Sequence, residues 1–459
     1  MWSLSAESRQ GSVPIRDGLI VTILAASLTG CAVTVPSSSP AASAAATASI
    51  AATDPSAKGS TPWPATSPGV APTLTPLSTP GDGRGMWTSV KGSALVAPTG
   101  VATGAGRQGV LMLGTDNPCE TPERKAPGTA AAFYDARKNV IRSVAANVEL
   151  RGFAVVSLGD GRVMVAGGYG PKDSFAKPTR RTRIWDPQTR AWSEGARMNV
   201  GRSYPFLARL ADGRVMAAGG SVGADESDCS GCETETDKVE LYDPRTNRWV
   251  PTSPIRLVAP DGGDADQLSG LIALSGGQVL ATGANDSAAL YNPITEAWTI
   301  FAWDGGWGPL SLPDGTAVSF GIEFYGTDGD VEAPFAARFD PSGPTSIIGH
   351  RAPLDGAATA ALADGRVFFA GGVVEDQTGY LGVFMQTVQI FDPRNGQWSE
   401  FASMPAKRGG ATAVPLDDGS VLVIGGVDVA ETQPATEEEP GNDLPQCVPA
   451  EQRVIRWTP

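Results

Sequence analysis

Residues 210–220 read Leu-Ala-Asp-Gly-Arg-Val-Met-Ala-Ala-Gly-Gly, and the fold follows from that stretch. The Asp-Gly pair is a tight hairpin turn, the apolar run after it is a strand, and the glycine pair ends that strand. A close copy, Leu-Gly-Asp-Gly-Arg-Val-Met-Val-Ala-Gly-Gly, occupies residues 158–168. Further copies run from Leu362 to Gly372 and, with one Asp shifted, from Leu416 to Gly426. Weaker copies end at Gly114, Gly283 and Gly321. Seven copies of one supersecondary unit define a repeat architecture, in which each unit buries its apolar face only against its neighbours.

A second signature follows each glycine after a variable stretch. It reads Ile-Trp-Asp-Pro-Gln-Thr-Arg-Ala-Trp at 184–192 and Leu-Tyr-Asp-Pro-Arg-Thr-Asn-Arg-Trp at 241–249. Tyr291 to Trp298 and Phe391 to Trp398 repeat it, and Tyr134-Asp135 and Phe339-Asp340 are degenerate copies. Proline presets the turn's backbone angle and the Asp side chain caps the turn. Each repeat therefore holds two hairpins, giving a four-stranded sheet with strands a, b, c and d. The fold class expected is all-β, a seven-bladed propeller of four-stranded blades.

These motifs resemble kelch repeats: an Asp-Gly turn, an apolar strand, Gly-Gly, aromatic-Asp-Pro, then Trp. The resemblance covers roughly residues 86–459. It implies a fold and leaves activity open, because one fold hosts many functions. The last repeat stops at Arg456-Trp457-Thr458-Pro459, which matches a third strand and lacks a fourth. Met86-Trp87-Thr88-Ser89-Val90 resembles a fourth strand with no first three before it. The N-terminal strand is thus expected to complete the last blade, a closure familiar from kelch propellers that leaves no open radial edge.

Ahead of the repeats, Arg9 and Arg16 precede an apolar run, Gly18 to Thr29, of signal-peptide length. It ends Leu28-Thr29-Gly30-Cys31, which resembles a bacterial lipobox and implies lipidation of Cys31. Residues 32 to about 82 are mostly Ala, Ser, Thr and Pro, a composition that cannot offset ordering entropy. The expected organisation is a lipoprotein signal peptide at 1–30, a disordered tether at 31–82 and the propeller at 83–459. That places the chain outside the cytoplasm, bound to a bacterial membrane through a lipid anchor only. A net charge of −14 argues against nucleic acid and against electrostatic docking on anionic lipid.

The chemistry is mostly exclusion. The one histidine, His350, is too few for a multi-imidazole zinc site, and copper radical oxidases built on a kelch propeller need two. No nucleophile elbow or phosphate-cradling loop occurs. The acidic loops at Asp261, Asp264 and Asp266 and at Asp328, Asp330 and Glu332 lack an EF-hand pattern. No catalytic residue, metal ligand or cofactor is therefore assigned. In an exported chain the cysteines beyond Cys31 read as disulfides, Cys119–Cys447 between neighbouring blades and Cys229–Cys232 within one loop.

Aligning the repeats on the Asp-Gly turn places a charged residue about eleven positions upstream, where strand a begins. These are Arg151, Arg202, Asp266, Asp304, Asp355 and Arg408. Kelch adaptors that bind acidic peptides use arginines there, so the resemblance implies a ligand site at the axial mouth. The long b–c loops all fall on one face, where binding residues concentrate. The function expected is a monomeric binding module for a protein or glycan. The alternative is a carbohydrate-active enzyme, such as a mutarotase or epimerase of the sialic acid type.

Overall fold

The computed structural model describes residues 85–92, 103–104, 109–114, 130–146, 148, 150–170, 177–223, 235–258, 265–283, 287–303, 305–325, 331–343, 345–351, 353–375, 382–429, 447–449 and 454–459. They form seven four-stranded antiparallel sheets arranged as a propeller. Blade 1 comprises Thr103–Gly104, Gly109–Gly114, Ala130–Asp135 and Val140–Val144. Blade 2 comprises Arg151–Ser157, Val163–Tyr169, Thr182–Asp186 and Ala191–Glu194. Blade 3 runs Phe206–Arg209, Val215–Ala218, Val239–Asp243 and Arg248–Thr252. Blade 4 runs Leu268–Ala273, Val279–Gly283, Ser287–Asn292 and Ala297–Ala302. Blade 5 holds Trp307–Ser311, Ala317–Tyr325, Val331–Phe339 and Ser346–Gly349. Blade 6 holds Ala358–Ala361, Val367–Ala370, Val388–Asp392 and Gln397–Phe401.

Blade 7 takes strands a to c from Thr412–Pro415, Val421–Ile424 and Val454–Thr458, and its fourth strand is Met86–Ser89. Trp87 pairs with Trp457 across this closure, and its indole donates to the Ala402 carbonyl of blade 6 at 2.9 Å. The same bond recurs around the ring. The strand-d indoles of Trp192, Trp249 and Trp298 donate to the carbonyls of Ala145, Ala196 and Ser253 on the preceding blade.

Strand b is largely apolar without alternation because both its faces are covered by neighbouring blades. Val215–Ala218 is buried throughout, as is Val421–Ile424. Seven apolar clusters result, one at each junction. The cluster joining Leu422 and Ile424 of blade 7 to Val110 and Met112 of blade 1 closes the circle.

The turns are fixed by aspartates. In the a–b turns, the carboxylates of Asp160, Asp212, Asp314, Asp364 and Asp418 each accept the amide two residues on. In blades 2, 3 and 6 the same Asp also pairs with the arginine of its own Asp-Gly-Arg, as Arg162 does with Asp160 at 2.7 Å. Blades 5 and 7 carry Thr316 and Ser420 in place of that arginine. There the cation comes from strand c: Arg338 reaches Asp314 at 2.6 Å, and Arg456 pairs with Asp418. The ion pair is kept while its donor changes strand.

Candidate functional site

The a–b and c–d turns share one face and are short. The b–c connections rise on the other. Three of them, on the consecutive blades 5, 6 and 7, extend as β-ladders. In blade 5, strands b and c stay paired out to Tyr325 and Val331. Blade 6 adds a hairpin of Val373–Glu375 and Gly382–Phe384, and blade 7 adds Val427–Val429 with Cys447–Pro449. In blades 6 and 7 the Gly-Gly pair makes the turn into these connections possible. Gly371 and Gly372 have φ of 72° and 103°, a region closed to most side chains. A Cβ on Gly371 would also run into the Arg408 carbonyl.

In the blade 6 hairpin, Val374 and Val383 stand opposite each other and are 42% and 49% exposed. The hairpin is anchored from below: a Cβ on Gly409 of the adjoining loop would strike the Phe384 ring. Apolar side chains thus project from a supported β-ladder.

The charged residues expected at an axial mouth fall into different places. Arg202 and Arg408 are 0% exposed, which corrects the reading of them as ligand-facing. Arg202 donates to the carbonyls of Gly219 and Lys238 at 2.9 and 3.0 Å, and to Glu240 at 3.1 Å. Burial lowers its pKa, and Glu240 opposes that shift. Glu240 also accepts the backbone amides of Asn199 and Val200 at 2.6 and 3.0 Å. Arg408 donates to the Gly425 carbonyl at 2.9 Å, matching Arg202 on Gly219.

The backbone carbonyls of these two arginines accept the second glycine amide of the preceding blade, Gly168 and Gly372, at 2.8 and 3.0 Å. Each arginine therefore fastens its blade to the one before it. The signal for this role was in the sequence, as Met198 and Met404 each lie four residues before the arginine and are buried with it. A residue repeated in step with the blade serves the blade.

The other four positions differ again. Arg151 opens strand a of blade 2 opposite Tyr169 and is half-buried. Asp266 pairs with Leu257 in a two-stranded ladder ahead of blade 4, and Asp355 is exposed with its carboxylate on the Gly356 amide. Asp304 lies outside the described residues. So do Cys31, Cys119, Cys229 and Cys232, the leader and tether at 1–82, and the acidic loop residues Asp261, Asp264, Asp328 and Asp330. Cys447 sits in the blade 7 hairpin, opposite Val429. Among the described residues, no three His, Cys, Asp or Glu side chains are grouped to hold a metal ion.

Two cavities lie on the tight-turn side. One of about 670 Å³ follows the a–b turns of blades 4 to 7, past Ser275, Leu312, Leu362 and Asp417. The other, of about 250 Å³, lies between blades 1 and 2 and is lined by Phe133, Arg142, Val144 and Arg190.

Comparison with known proteins agrees with this architecture. The Kelch motif family model matches residues 202–255 and 356–405, which cover blades 3 and 6. An F-box/kelch-repeat protein of Arabidopsis thaliana is 30% identical over 121 residues, 26% of this chain and 27% of that protein. Galactose oxidase of Gibberella zeae is 23% identical over 271 residues, covering 58% and 33% of the two chains. Kelch-like protein 25 of Xenopus tropicalis is 24% identical over 247 residues, covering 53% and 39%. The matched spans thus reach at most two-fifths of these relatives' lengths. Among solved structures, a fungal alcohol oxidase in complex with copper superposes with a TM-score of 0.55 at 16% identity. That match covers 82% of this chain and 76% of the other, and it speaks to fold alone. Seven four-stranded blades, two of them matched by the Kelch motif model, give this chain the fold of a seven-bladed, kelch-type β-propeller.

Proposed function

We propose that the propeller is a binding module that engages a protein partner through its b–c face, displayed outside the cytoplasm on a lipid anchor at Cys31. The observation that carries this reading is the wall of β-ladders over blades 5, 6 and 7, with Val374 and Val383 exposed on the middle one. Exposed apolar side chains on a rigid support are the chemistry of an interface core, and loops on a rigid scaffold are where binding residues gather. A ladder is already ordered, so binding it costs little conformational entropy. The opposite face offers short turns whose charges are mostly paired within their own hairpins.

Val374→Asp combined with Val383→Asp tests the face. Both side chains are exposed, so the melting temperature should hold while partner recovery from the source cells falls about tenfold or more. Recovery equal to wild type would overturn the assignment. Anchoring is tested separately. Cys31→Ser should move the chain from the membrane fraction to the soluble one, and an unchanged distribution would overturn the anchor.

A further inference from the structure

In the c–d turns of blades 1, 2, 3, 4 and 6 one residue has a positive φ and faces the preceding blade. At four junctions it closes the gap. Asn139 of blade 1 donates to the Ser89 carbonyl of blade 7, and Asn247 of blade 3 accepts the Ala196 amide of blade 2 at 2.8 Å. Glu296 of blade 4 pairs with Arg214 of blade 3 at 3.3 Å. Gly396 of blade 6 packs so close to the Ile348 carbonyl of blade 5 that a Cβ would not fit.

At the junction of blades 1 and 2 the corresponding residue is Arg190, with φ of 56°. An arginine has no acceptor to offer the Ala145 amide, which stands where Ala196 stands one blade on. The junction stays open there as the 250 Å³ cleft. Arg142, on the outer strand of blade 1, lines the same cleft opposite Phe133 in the strand register. Among the described residues, neither guanidinium has an ion pair or a hydrogen bond. Most of the other described arginines do, including Arg162, Arg214, Arg338, Arg366, Arg394 and Arg456.

The remaining acidic group at the cleft, Asp135, is already engaged. Its Oδ1 accepts the amides of Arg137 and Lys138 at 3.1 and 3.2 Å, and its Oδ2 faces the Lys138 ammonium at 3.9 Å. Phe133, Val144 and Ala145 give the cleft an apolar lining behind two unneutralised cations.

We propose that this cleft is a carboxylate-binding site, separate from the b–c face. It would take a carboxylate on a small apolar stem, held by the forked donors of Arg142 and Arg190 with the stem against Phe133 and Val144. A free organic acid and the acidic side chain of a bound polypeptide share that chemistry.

The test titrates the full chain with two charged probes, propionate and acetyl-Ala-Glu-Ala-amide, and with propionamide as the neutral control, followed by calorimetry or NMR. Saturable binding of a charged probe that weakens with salt is expected, with none for propionamide. Propionate alone would mark an organic-acid site, and the peptide alone a site for a partner's acidic side chain; either supports the proposal. Arg142→Gln with Arg190→Gln should weaken binding about tenfold or more. Arg190→Asn should weaken it at least as much, and should raise the melting temperature slightly by closing the junction as Asn247 does. Both arginines are exposed, so circular dichroism should show these variants folded. The proposal is overturned if neither charged probe saturates, if propionamide binds as well, or if the double variant keeps wild-type affinity.

Discussion

Replacing Arg202 with methionine should destabilise the whole ring and do nothing specific to a ligand. The side chain is 0% exposed and makes three hydrogen bonds, one of them to Glu240, which is itself 1% exposed. Methionine fills much of the volume but strands a buried carboxylate and two backbone carbonyls. Breaking a buried ion pair on one side costs about 3–5 kcal/mol. With about 2.1 cal/mol/K of unfolding entropy per residue over a ring of this size, the melting temperature should drop by about 4–6 °C. Adding Glu240→Gln should recover about half of that loss. The amide removes the stranded charge, and its single oxygen can still accept the Asn199 amide, while the Val200 amide, bonded to the other carboxylate oxygen, loses its acceptor. Thermal denaturation of the two single variants, the double variant and the wild type completes the cycle. A methionine variant that melts within about a degree of wild type would refute the reasoning, and more so if it had lost a ligand.

Three more predictions concern the scaffold. Arg338→Leu should cost about 0.5–1 kcal/mol, because its pair with Asp314 is partly solvated. Thr316→Arg in the same chain should restore that stability by rebuilding the Asp-Gly-Arg pair of blades 2, 3 and 6; no rescue in a denaturant titration would contradict the strand swap. Acid should unfold the ring through its turn aspartates. The Arg394 hydrogen bond holds Asp392 below the usual carboxylate range, and Ser342 does the same for Asp340. Because the folded pKa is depressed, this stability is full above the unfolded value of about 4 and is lost as pH falls through the folded one. Asp392→Asn should flatten the acid limb of melting temperature against pH, and an unchanged limb would refute the assignment. Deleting residues 83–91 removes the fourth strand of blade 7 and the Trp87 bond to Ala402, at a cost of several kcal/mol, about that of a core aromatic or more. An unchanged melting temperature would refute the closure.

The scaffold was legible because its signals are local. An Asp-Gly or Asp-Pro turn specifies itself within four residues, so seven copies announce seven blades, and the orphan strand at Trp87 announces the closure. Arg202 shows where that legibility stops. Alignment placed it at the start of strand a, yet its direction depends on Glu240, 38 residues on and adjacent only after folding. Position came from the repeat, and the side chain's partner came from tertiary packing. Arg190 was missed for the opposite reason. It departs from the asparagine at the same place in blades 1 and 3, and that departure has meaning only once the neighbouring blade is in view. The ladders over blades 5 to 7 lay in loops whose sequences do not repeat, so no periodicity pointed to them.

The central claim is that partners meet the b–c face, and site-specific photocrosslinking tests it most directly. A photoreactive residue at Val383 reports on the ladder of blade 6, and one at Ile294, 91% exposed in a c–d turn, reports on the opposite face. In the source cells, a discrete crosslinked protein is expected from position 383 and none from position 294. The same adduct from position 294, with none from 383, would contradict the account.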